Sequence, residues 1–428
     1  MYFPGGNKHG TDFPIFSWGV PWKGLEPIGK LPWGPLSVDH PGVERRQQIE
    51  EVARELGFDL FGVAPLRPPK DAERFREWLR SGRNAGLRYL EADAERILNP
   101  ASLVPGGKSI LVLGLGHSRA STELPGGGRV ARYASGRDYH NVVVKKLRRL
   151  LRRLKHEGLV REARTLVDAG PLFERSHAEE AGLGFASKAA NLLHPAYGPW
   201  FFLGEVIVDL ELEPTSAVEV GSCGTCSACL DACPTQAITA PGVVDARLCL
   251  SYHNIENPGR IPTEVREKMG NWAFGCDVCS EVCPWGRKAP DLSARFGTHP
   301  FLSEGLVAWL DRRDDFEARS EGSALRRPGR EGLARNSAIA LAAAPDEPGL
   351  RALMRALRDD PSAMVREAAG WSLGRGFGDD PQARRALEEA ALADPDPENR
   401  HWLAEWRERR AGSTPASGAV ENPRQPGS

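Results

Sequence analysis

All eight cysteines of this 428-residue chain lie within one stretch, from Cys223 to Cys283. Four of them follow the pattern C-x2-C-x2-C-x3-C-P, three more repeat its last part, and one stands alone between the two motifs. This spacing is typical of proteins that bind two cubane iron–sulfur clusters, which transfer single electrons. The predicted ligands are Cys223, Cys226, Cys229, Cys233, Cys249, Cys276, Cys279 and Cys283.

The two motifs are expected to share their ligands. Cysteines at i, i+3 and i+6 of one loop bind three irons of one cluster, whereas the cysteine before the proline points toward the other cluster. The first cluster is therefore assigned Cys223, Cys226, Cys229 and Cys283, and the second Cys233, Cys276 and Cys279. Because Ala273 replaces the first cysteine of the second motif, the lone Cys249 is assigned as the missing ligand. Structural zinc and disulfides are the alternatives, but zinc does not require the Cys-Pro endings, and disulfides need an oxidising compartment.

The glycine-rich run GGGRVARYASGRDYH, residues 126–140, contains the strongest candidate for proton transfer. A carboxyl group such as Asp138, buried beside a cofactor pocket, can act as a general acid. The alternative is that Asp138 caps a helix that begins near Asn141, since aspartate is favoured there. Tyr139 and His140 also carry protons, although a histidine beside an aspartate is more often a local hydrogen-bond pair.

Three further features could bind charged groups. Asp168, Glu174 and Arg175 are expected to cluster where a loop leaves a strand, and Lys188 could hold a cofactor phosphate or carboxylate, although surface exposure is its commoner fate. The helix predicted over residues 141–156 carries seven cations opposite its apolar stripe. Such a face is usually solvated surface, and phosphate binding is the alternative.

Composition places the chain among globular proteins. Apolar residues make up 41% and charged residues 26%, and the formal net charge is −1, so an acidic partner must meet a local basic patch. The N-terminus lacks the pattern of a signal peptide, and no run of 18 apolar residues occurs, so no membrane association is expected. Thiolate ligands without an export signal predict a cytoplasmic protein.

The elements that position these residues change along the chain. Residues 46–213 mix predicted helices with a buried strand at Ser109–Gly116 and an alternating, antiparallel strand from Phe201, which indicates α+β or α/β structure. Beyond Pro290 the pattern is helical and repeats at about 31 to 35 residues, as in a solenoid of helical hairpins. The predicted segments are an extension (1–45), a catalytic α/β domain (46–213), a ferredoxin-like domain (214–292), HEAT-like repeats (293–411) and a disordered tail (412–428).

Several separated segments together resemble the epoxyqueuosine reductase family, which completes the queuosine modification in tRNA. They are VPGGKSILVLGLG, VARYASGRDYH, DAGPLFERSHAEEAGLG, GPWFFLGEVIVDLEL, CGTCSACLDACPTQAI, RLCLSYHNIE and FGCDVCSEVCPWG, followed by the repeats. They occur in the family's order and cover roughly residues 46–405. Many ferredoxins share the cysteine motifs, whereas RDYH, the segment after Cys249 and the repeats make the combination specific.

The resemblance implies a mechanism. Family members bind cobalamin in the N-terminal domain, two [4Fe-4S] clusters feed electrons to it, and the epoxide oxygen of the modified base is removed with the aspartate equivalent to Asp138 as proton donor. The implied cobalamin-binding positions are Arg132, Tyr133, Asp138, Tyr139, His140, Asp168, Lys188 and Ser251. The implied partners are a tRNA anticodon loop and an electron donor such as flavodoxin or ferredoxin, and we expect a monomer. Basic residues of helix 141–156, of Arg326–Arg330 and of the repeat helices are candidates for phosphate contacts.

The sequence also departs from the family pattern. Where the family has G-W-x-G-K-N, this chain has Phe185, Ser187 and Ala189 in place of the tryptophan, the glycine and the asparagine, and Asn254 replaces the usual threonine of SYxTIE. The rival functions are a cobalamin and iron–sulfur reductase of a small organic molecule, similar to reductive dehalogenases, and an electron-transfer adaptor without an active site.

Overall fold

The computed structural model describes residues 41–117, 120–168, 170–215, 221–311 and 314–411. Most of the predicted N-terminal extension, residues 1–40, and the whole predicted tail, residues 412–428, lie outside the described residues.

The strands are short except for two of eight residues. They are β1 (Leu60–Pro65), β2 (Ser109–Gly116), β3 (Thr122–Glu123), β4 (Arg129–Val130), β5 (Ala163–Leu166), β6 (Phe185–Ala186), β7 (Leu192–Leu193), β8 (Phe201–Val208), β9 (Ile238–Ala240), β10 (Val243–Val244) and β11 (Trp272–Phe274).

The described α-helices range in length from 4 to 18 residues. They are α1 (Pro41–Glu55), α2 (Ala72–Arg80), α3 (Arg88–Ala92), α4 (Ala94–Leu98), α5 (Tyr139–His156), α6 (Glu174–Glu180), α7 (Ala228–Asp231), α8 (Thr263–Met269), α9 (Val278–Glu281), α10 (Pro284–Arg287), α11 (Ser293–Phe296), α12 (Gly305–Leu310), α13 (Phe316–Arg319), α14 (Gly329–Leu341), α15 (Glu347–Asp359), α16 (Ala363–Gly376), α17 (Pro381–Ala393) and α18 (Pro397–Ala411). Short 3₁₀ turns lie at Pro100–Leu103, Arg132–Ala134, Pro300–Glu304 and Ala324–Arg326, and a π-helix lies at Tyr252–Glu256.

The described chain forms two compact units, and each contains three segments. The first unit comprises the residues up to 120, residues 136–249 and residues 277–297. The second comprises residues 121–135, residues 250–276 and those from 298 onward. Residues 121–135 join residues 250–276 because β4 pairs with β11. The domain boundaries expected from the sequence divide the chain linearly and stay a prediction.

The first unit is built around a four-stranded sheet in the order β1-β2-β8-β5. All three neighbouring pairs are antiparallel. All eight residues of β2 are buried, which confirms the central strand expected from its uninterrupted apolar sequence. The antiparallel strand expected from Phe201 is β8, and the mixture of helices and strands agrees with the predicted fold class.

Helix α5 covers β8 with the apolar stripe that its sequence predicts. Its inward residues Val143, Leu147, Leu150 and Leu154 are buried. Gly204 of β8 allows the close approach, because a Cβ atom there would lie 2.7 Å from Val143 Cγ1. The helix begins at Tyr139, two residues earlier than expected, because the Asp138 side chain accepts a hydrogen bond from the His140 main-chain N–H and caps it.

The second unit contains the helical repeats. The first helix of each hairpin begins 34 residues after the previous one, at Gly329, Ala363 and Pro397. This spacing confirms the repeat expected from the sequence, and stacking of the hairpins buries residues such as Leu333, Leu353 and Leu373. Helix α14 also packs on the small sheet β11-β4-β3.

Among the described helices, none is long and apolar enough to cross a membrane.

Candidate active site and cysteine centre

Five thiols line one cavity of the first unit. The cavity, of about 50 Å³, is bordered by Cys223, Cys226, Cys229, Cys279 and Cys283, with Trp285 and Pro284 as apolar walls. Four of these five are the ligands assigned to the first cluster from the sequence. The donor set is therefore of the kind that a four-iron cluster requires.

The cysteine loop is held in place by Lys188. Its ammonium group donates to the carbonyl oxygens of Gly224 and Cys226, at 2.8 Å each, and its main-chain N–H points to Cys223 Sγ at 3.4 Å. Lys188 therefore supports the loop that carries the first thiols. Its expected role in holding a cofactor phosphate or carboxylate stays a prediction.

The thiols lie in surroundings that oppose their ionisation. Burial raises the pKa of Cys229 to about 11 and also raises the pKa of Cys283. Thiolates must therefore be stabilised by bound metal, because iron replaces the proton when a cluster assembles. N–H donors near sulfur have the same effect, and Cys233 Sγ accepts one from the Ala237 N–H at 3.2 Å.

Cys249 and the first cysteine of the second motif fall in different units. Cys249 is buried and is the last residue of its segment in the first unit, whereas Cys276 belongs to the second unit. All eight cysteines are free thiols. The assignment of individual ligands to the second cluster stays a prediction.

In the second unit, the residue before Cys276 is held by Asn254. The Asn254 side chain donates to the Gly275 carbonyl at 2.9 Å and accepts from the Gly275 N–H at 2.8 Å. A threonine, which is usual in the family at this position, has one hydroxyl oxygen for both roles, whereas the asparagine amide supplies a separate donor and a separate acceptor. Asn336 of α14 in turn donates to the Asn254 carbonyl at 2.6 Å. The departure from the family pattern thus supports the main chain beside a predicted ligand.

A chain of hydrogen bonds connects Asp138 to Asp168 in the first unit. His140 Nδ1 lies 2.8 Å from Asp138 Oδ1, and His140 Nε2 lies 3.0 Å from Asp168 Oδ2. The Tyr139 hydroxyl donates to the same Asp168 oxygen at 2.7 Å and stacks on Phe202 with ring centroids 4.3 Å apart. Asp138 therefore both caps α5 and pairs with His140, so the capping and proton-transfer hypotheses are compatible.

The two carboxylates keep His140 charged. Burial alone lowers the pKa of an imidazole, but hydrogen bonds to Asp138 and Asp168 outweigh it and raise the pKa of His140 to about 9. At neutral pH both ring nitrogens carry protons and donate to the flanking carboxylates. The proton beside Asp138 therefore resides mainly on the imidazole.

Asp168 continues into a cluster of buried acids. Its backbone is left-handed, with φ of +52°, which turns its N–H onto the Glu174 carboxylate in a short hydrogen bond. Glu205 of β8 is fully buried and interacts with Glu174. Sequence reasoning grouped Asp168 with Glu174 and Arg175 correctly but missed Glu205. The available signal was an acid at an inward position of an otherwise apolar strand.

Both glutamates bind protons more strongly than isolated carboxyl groups do. Burial raises the pKa of Glu174 to about 7, with a further contribution from the charge of Asp168. Burial raises the pKa of Glu205 well above its usual value, and the neighbouring Glu174 adds to this. Arg175, which donates to the Ala190 carbonyl at 2.7 Å, supplies positive charge nearby.

A larger cavity of about 360 Å³ adjoins these acids. Asp168, Glu174 and Arg175 line it opposite the aromatic side chains of Phe75 and Trp78. Ser187 and Asn191 border both this cavity and the thiol cavity. Aromatic walls beside main-chain and charged groups suit part of a large organic cofactor, and a cofactor bound here would lie next to the thiols predicted to hold the first cluster.

The remaining predicted cofactor positions lie in the second unit. Arg132 and Tyr133 form a 3₁₀ turn, in which the Arg132 carbonyl accepts from the Ser135 hydroxyl at 2.7 Å and the Tyr133 ring lies 6.0 Å from Phe274. Ser251 is buried immediately before the π-helix. Among the eight predicted cobalamin-binding positions, the structure brings Asp138, Tyr139, His140 and Asp168 together.

The candidate phosphate-binding cations fall into two groups. In Arg326–Arg330 all three arginines pair with carboxylates, namely those of Glu317, Glu256 and Asp360. On α5, Lys146 donates to the Leu56 carbonyl and Arg153 pairs with Glu157. The other α5 cations are exposed, and they are Lys145, Arg148, Arg149, Arg152 and Lys155.

Three parts of the chain match family models. Residues 98–169 match the model described as Epoxyqueuosine reductase QueG, DUF1730, residues 222–286 match a 4Fe-4S double cluster binding domain, and residues 322–405 match HEAT repeats. The epoxyqueuosine reductase of Xanthomonas campestris is 39% identical over 76% of this chain and 94% of its own length. That of Pseudomonas aeruginosa is 38% identical over 77% of this chain and 94% of its own length. The chain belongs to the epoxyqueuosine reductase family.

Solved structures of the family agree with the fold. A crystal structure of epoxyqueuosine reductase with an epoxyqueuosine-modified tRNA-Tyr stem loop gives a TM-score of 0.78 at 29% identity, covering 86% of this chain and 98% of that one. The Bacillus subtilis epoxyqueuosine reductase gives 0.77 at 30% identity, covering 86% of this chain and 99% of that one. In that structure a catalytic loop named for its aspartate is swung out of the active site.

Membership of this family confirms the main expectations from the sequence. The chain is an oxidoreductase with a double [4Fe-4S] cluster domain and HEAT-like repeats, in a family that depends on cobalamin. The roles of individual site residues stay predictions.

Proposed function

We propose that this chain reduces epoxyqueuosine in tRNA to queuosine, with Asp138 as the proton donor. The observation that supports this role is the hydrogen-bonded sequence Asp138, His140 and Asp168, which ends at the cavity bordering the thiol site within the same unit. Electron delivery and proton delivery therefore meet in one part of the molecule. Removal of an epoxide oxygen requires both.

The chain's own residues handle the proton. Asp138 presents one oxygen to the His140 ring and is fixed by the His140 main-chain N–H, so its direction is set by the start of α5. The imidazole supplies the proton that Asp138 passes to the departing oxygen, and Asp168 compensates the imidazole charge. The Tyr139 hydroxyl fixes Asp168, since it donates to the same oxygen that faces His140.

Two clusters and cobalamin complete the electron path. Cys223, Cys226, Cys229 and Cys283 would hold the first cluster, and Cys233, Cys249, Cys276 and Cys279 the second. When bound, cobalamin supplies a cobalt centre that accepts single electrons from the clusters and acts on the epoxide. Asp168, the aromatic residues Phe75 and Trp78, and the loop at Ser187 and Asn191 line the space proposed for part of it.

The substrate is part of a polyanion, and a related enzyme binds a modified tRNA stem loop. We assign the phosphate contacts in the first unit to the exposed cations of α5, because the arginines of Arg326–Arg330 already pair with carboxylates. Binding is then expected to weaken steeply as salt concentration rises. A cytoplasmic location, a monomeric state and a flavodoxin or ferredoxin donor stay predictions.

The deciding experiment replaces Asp138 with asparagine. Asparagine caps helices as well as aspartate does, so Asp138→Asn keeps the start of α5 while removing the acid. Turnover of an epoxyqueuosine-containing tRNA stem loop is expected to fall about 10²- to 10⁴-fold, with iron and corrin content unchanged. The control is Asp209→Asn, at a carboxylate that accepts from the Arg161 and Glu162 N–H groups outside the site, which should retain turnover.

Two results would contradict the proposal. Full turnover by Asp138→Asn with intact clusters would refute the role of Asp138. Failure of the wild-type protein, loaded with both clusters and cobalamin, to convert epoxyqueuosine would refute the function, and turnover of a small halogenated or epoxide substrate instead would support the rival reductase.

A further inference from the structure

The reduction needs more protons than Asp138 can supply. Removing an epoxide oxygen breaks two C–O bonds and forms a C=C bond, and the oxygen leaves as water. This consumes two electrons, which a one-electron donor supplies through the clusters, and two protons. A single carboxyl group delivers one proton and must then be reloaded, so the second proton needs a source and a path.

The acid cluster behind Asp138 has the composition of such a source. It contains four carboxyl groups, those of Asp138, Asp168, Glu174 and Glu205, and two cationic side chains, His140 and Arg175. With every group charged, it would hold two excess negative charges in a largely enclosed place. Because unpaired buried charge is strongly unfavourable, protons take the place of the missing cations.

Neither of the two strands that pair with β8 places a cation next to Glu205. The neighbouring strand β2 has no ionisable residue, and Glu205 lies opposite Val112 there and opposite Leu166 of β5. Arg164, the only ionisable residue of β5, is exposed and lies opposite Ile207.

The helices packed on β8 contribute the remaining ionisable groups. From α5 they are Tyr139 and His140 near its start. From α6 they are Glu174, Arg175 and the buried His177, whose Nδ1 lies 3.8 Å from Glu180. Burial raises the pKa of Glu205 accordingly, and the neighbouring Glu174 raises it further.

We propose that Glu205 and Glu174 form an internal proton store that reloads Asp138 through Asp168 and His140 during each turnover. This inference rests on the proposed function. The path from Asp168 to Asp138 is continuous, with contacts of 3.0 and 2.8 Å on the two sides of the imidazole. Glu174 lies beside Asp168, because its carboxylate accepts a hydrogen bond from the Asp168 main-chain N–H.

The roles differ along this path. Asp138 is the catalytic residue because it is proposed to touch the departing oxygen. Glu205 and Glu174 act through other side chains, so they store and position a proton. Loss of the store should therefore lower kcat without changing KM, and most strongly at high pH, where solvent is a poorer source of protons.

The kinetic test uses the holoenzyme and the variant Glu205→Gln. We expect kcat to fall about tenfold at about pH 8 and less at about pH 6, with KM for the tRNA stem loop unchanged. Glu205→Asp keeps an acid at the same place and should restore part of kcat. The control Glu211→Gln changes an exposed glutamate after β8 and should behave as wild type. Wild-type kcat at every pH in both Glu205→Gln and Glu174→Gln would overturn the proposal.

A second readout does not depend on turnover. Infrared difference spectra of the holoenzyme between neutral and high pH should contain the carbonyl stretch of a protonated carboxyl group, and this band should be weaker in Glu205→Gln. Absence of this band from the wild type would overturn the store, even if the enzyme is active. If the wild type shows the band but does not reduce epoxyqueuosine, the proposed function fails and the store remains. Iron content confirms that each variant is folded around its clusters.

Discussion

The two units differ in how their buried charged side chains are paired. In the second unit, Arg366 meets both oxygens of Asp394 at 2.9 Å, Arg266 meets Glu367, and Arg335 donates to the carbonyl of His253 at 2.8 Å and to other main-chain oxygens. In the first unit, four carboxyl groups, including that of Glu205, share two cationic side chains.

Paired buried charges stabilise a fold, whereas buried acids without enough cations can take part in proton transfer. A buried arginine with matched acceptors fixes one arrangement of helices and has no proton to exchange, because guanidinium keeps its charge. The pKa of Arg335 is lowered by burial only to about 9, so it remains charged at neutral pH. Acids with too few cations must bind protons and can release them near neutral pH. On the proposed mechanism, proton transfer is therefore confined to the first unit, and the paired arginines of the second unit stabilise its fold.

The largest effect is expected from breaking a matched pair. Arg266→Met removes the only cation that bonds to Glu367 among the described residues and leaves a buried carboxylate. We expect a loss of about 3–5 kcal/mol in the free energy of unfolding, measured in urea. The double variant Arg266→Met with Glu367→Leu should recover most of it. Equal destabilisation of the single and the double variant would show that the pair is not a matched charge pair.

Neutralising one of the unmatched acids should raise the free energy of unfolding instead of lowering it. The unfolded chain loses the proton of Glu205 near pH 4.5, whereas the folded chain keeps it to higher pH, so wild-type stability falls as pH rises through this window. His140 acts in the same direction between about pH 6.5 and about pH 9. Each group contributes a slope of about 1.4 kcal/mol per pH unit.

Glu205→Gln removes one of these slopes. Thermal unfolding of the variant should show a smaller decline from about pH 5 to about pH 7 than the wild type, with the difference growing as pH rises. Identical profiles for the two proteins would mean that Glu205 is ionised in the folded state and that the contrast between the units is wrong.

The smallest effect is expected from an exposed pair in the repeats. Arg351 and Glu347 lie 2.9 Å apart on the surface of α15 with side chains 58% and 56% exposed. Arg351→Ala should change the free energy of unfolding by less than about 0.5 kcal/mol, because solvent screens the pair. If Arg351→Ala lowered the free energy of unfolding as much as Arg266→Met does, exposed ion pairs would stabilise the repeats as strongly as buried ones.

Local patterns in the sequence determined the cysteine motifs, the apolar stripe of α5, the central strand β2 and the repeat helices. Each depends on residues within a few positions of one another, since loop geometry, helical period and strand burial are local properties. Asp138 could be predicted for the same reason, because the glycine-rich run and the helix start that indicate its role lie within a few residues of it. The family pattern added the reaction.

Only the tertiary structure decided that Glu205 joins Asp168 and Glu174. Strand β8 lies beside β5 although other elements separate them in the chain, and the register that pairs Glu205 with Leu166 brings it near the loop after β5. Proton affinity depends on how many charges share an enclosed space, and strand order and register set that number. Two further contacts arise in the same way, that of Lys188 with the cysteine loop and that of Asn254 with Gly275. In each, a side chain binds main-chain groups that are distant in the sequence, and no local pattern specifies such a contact.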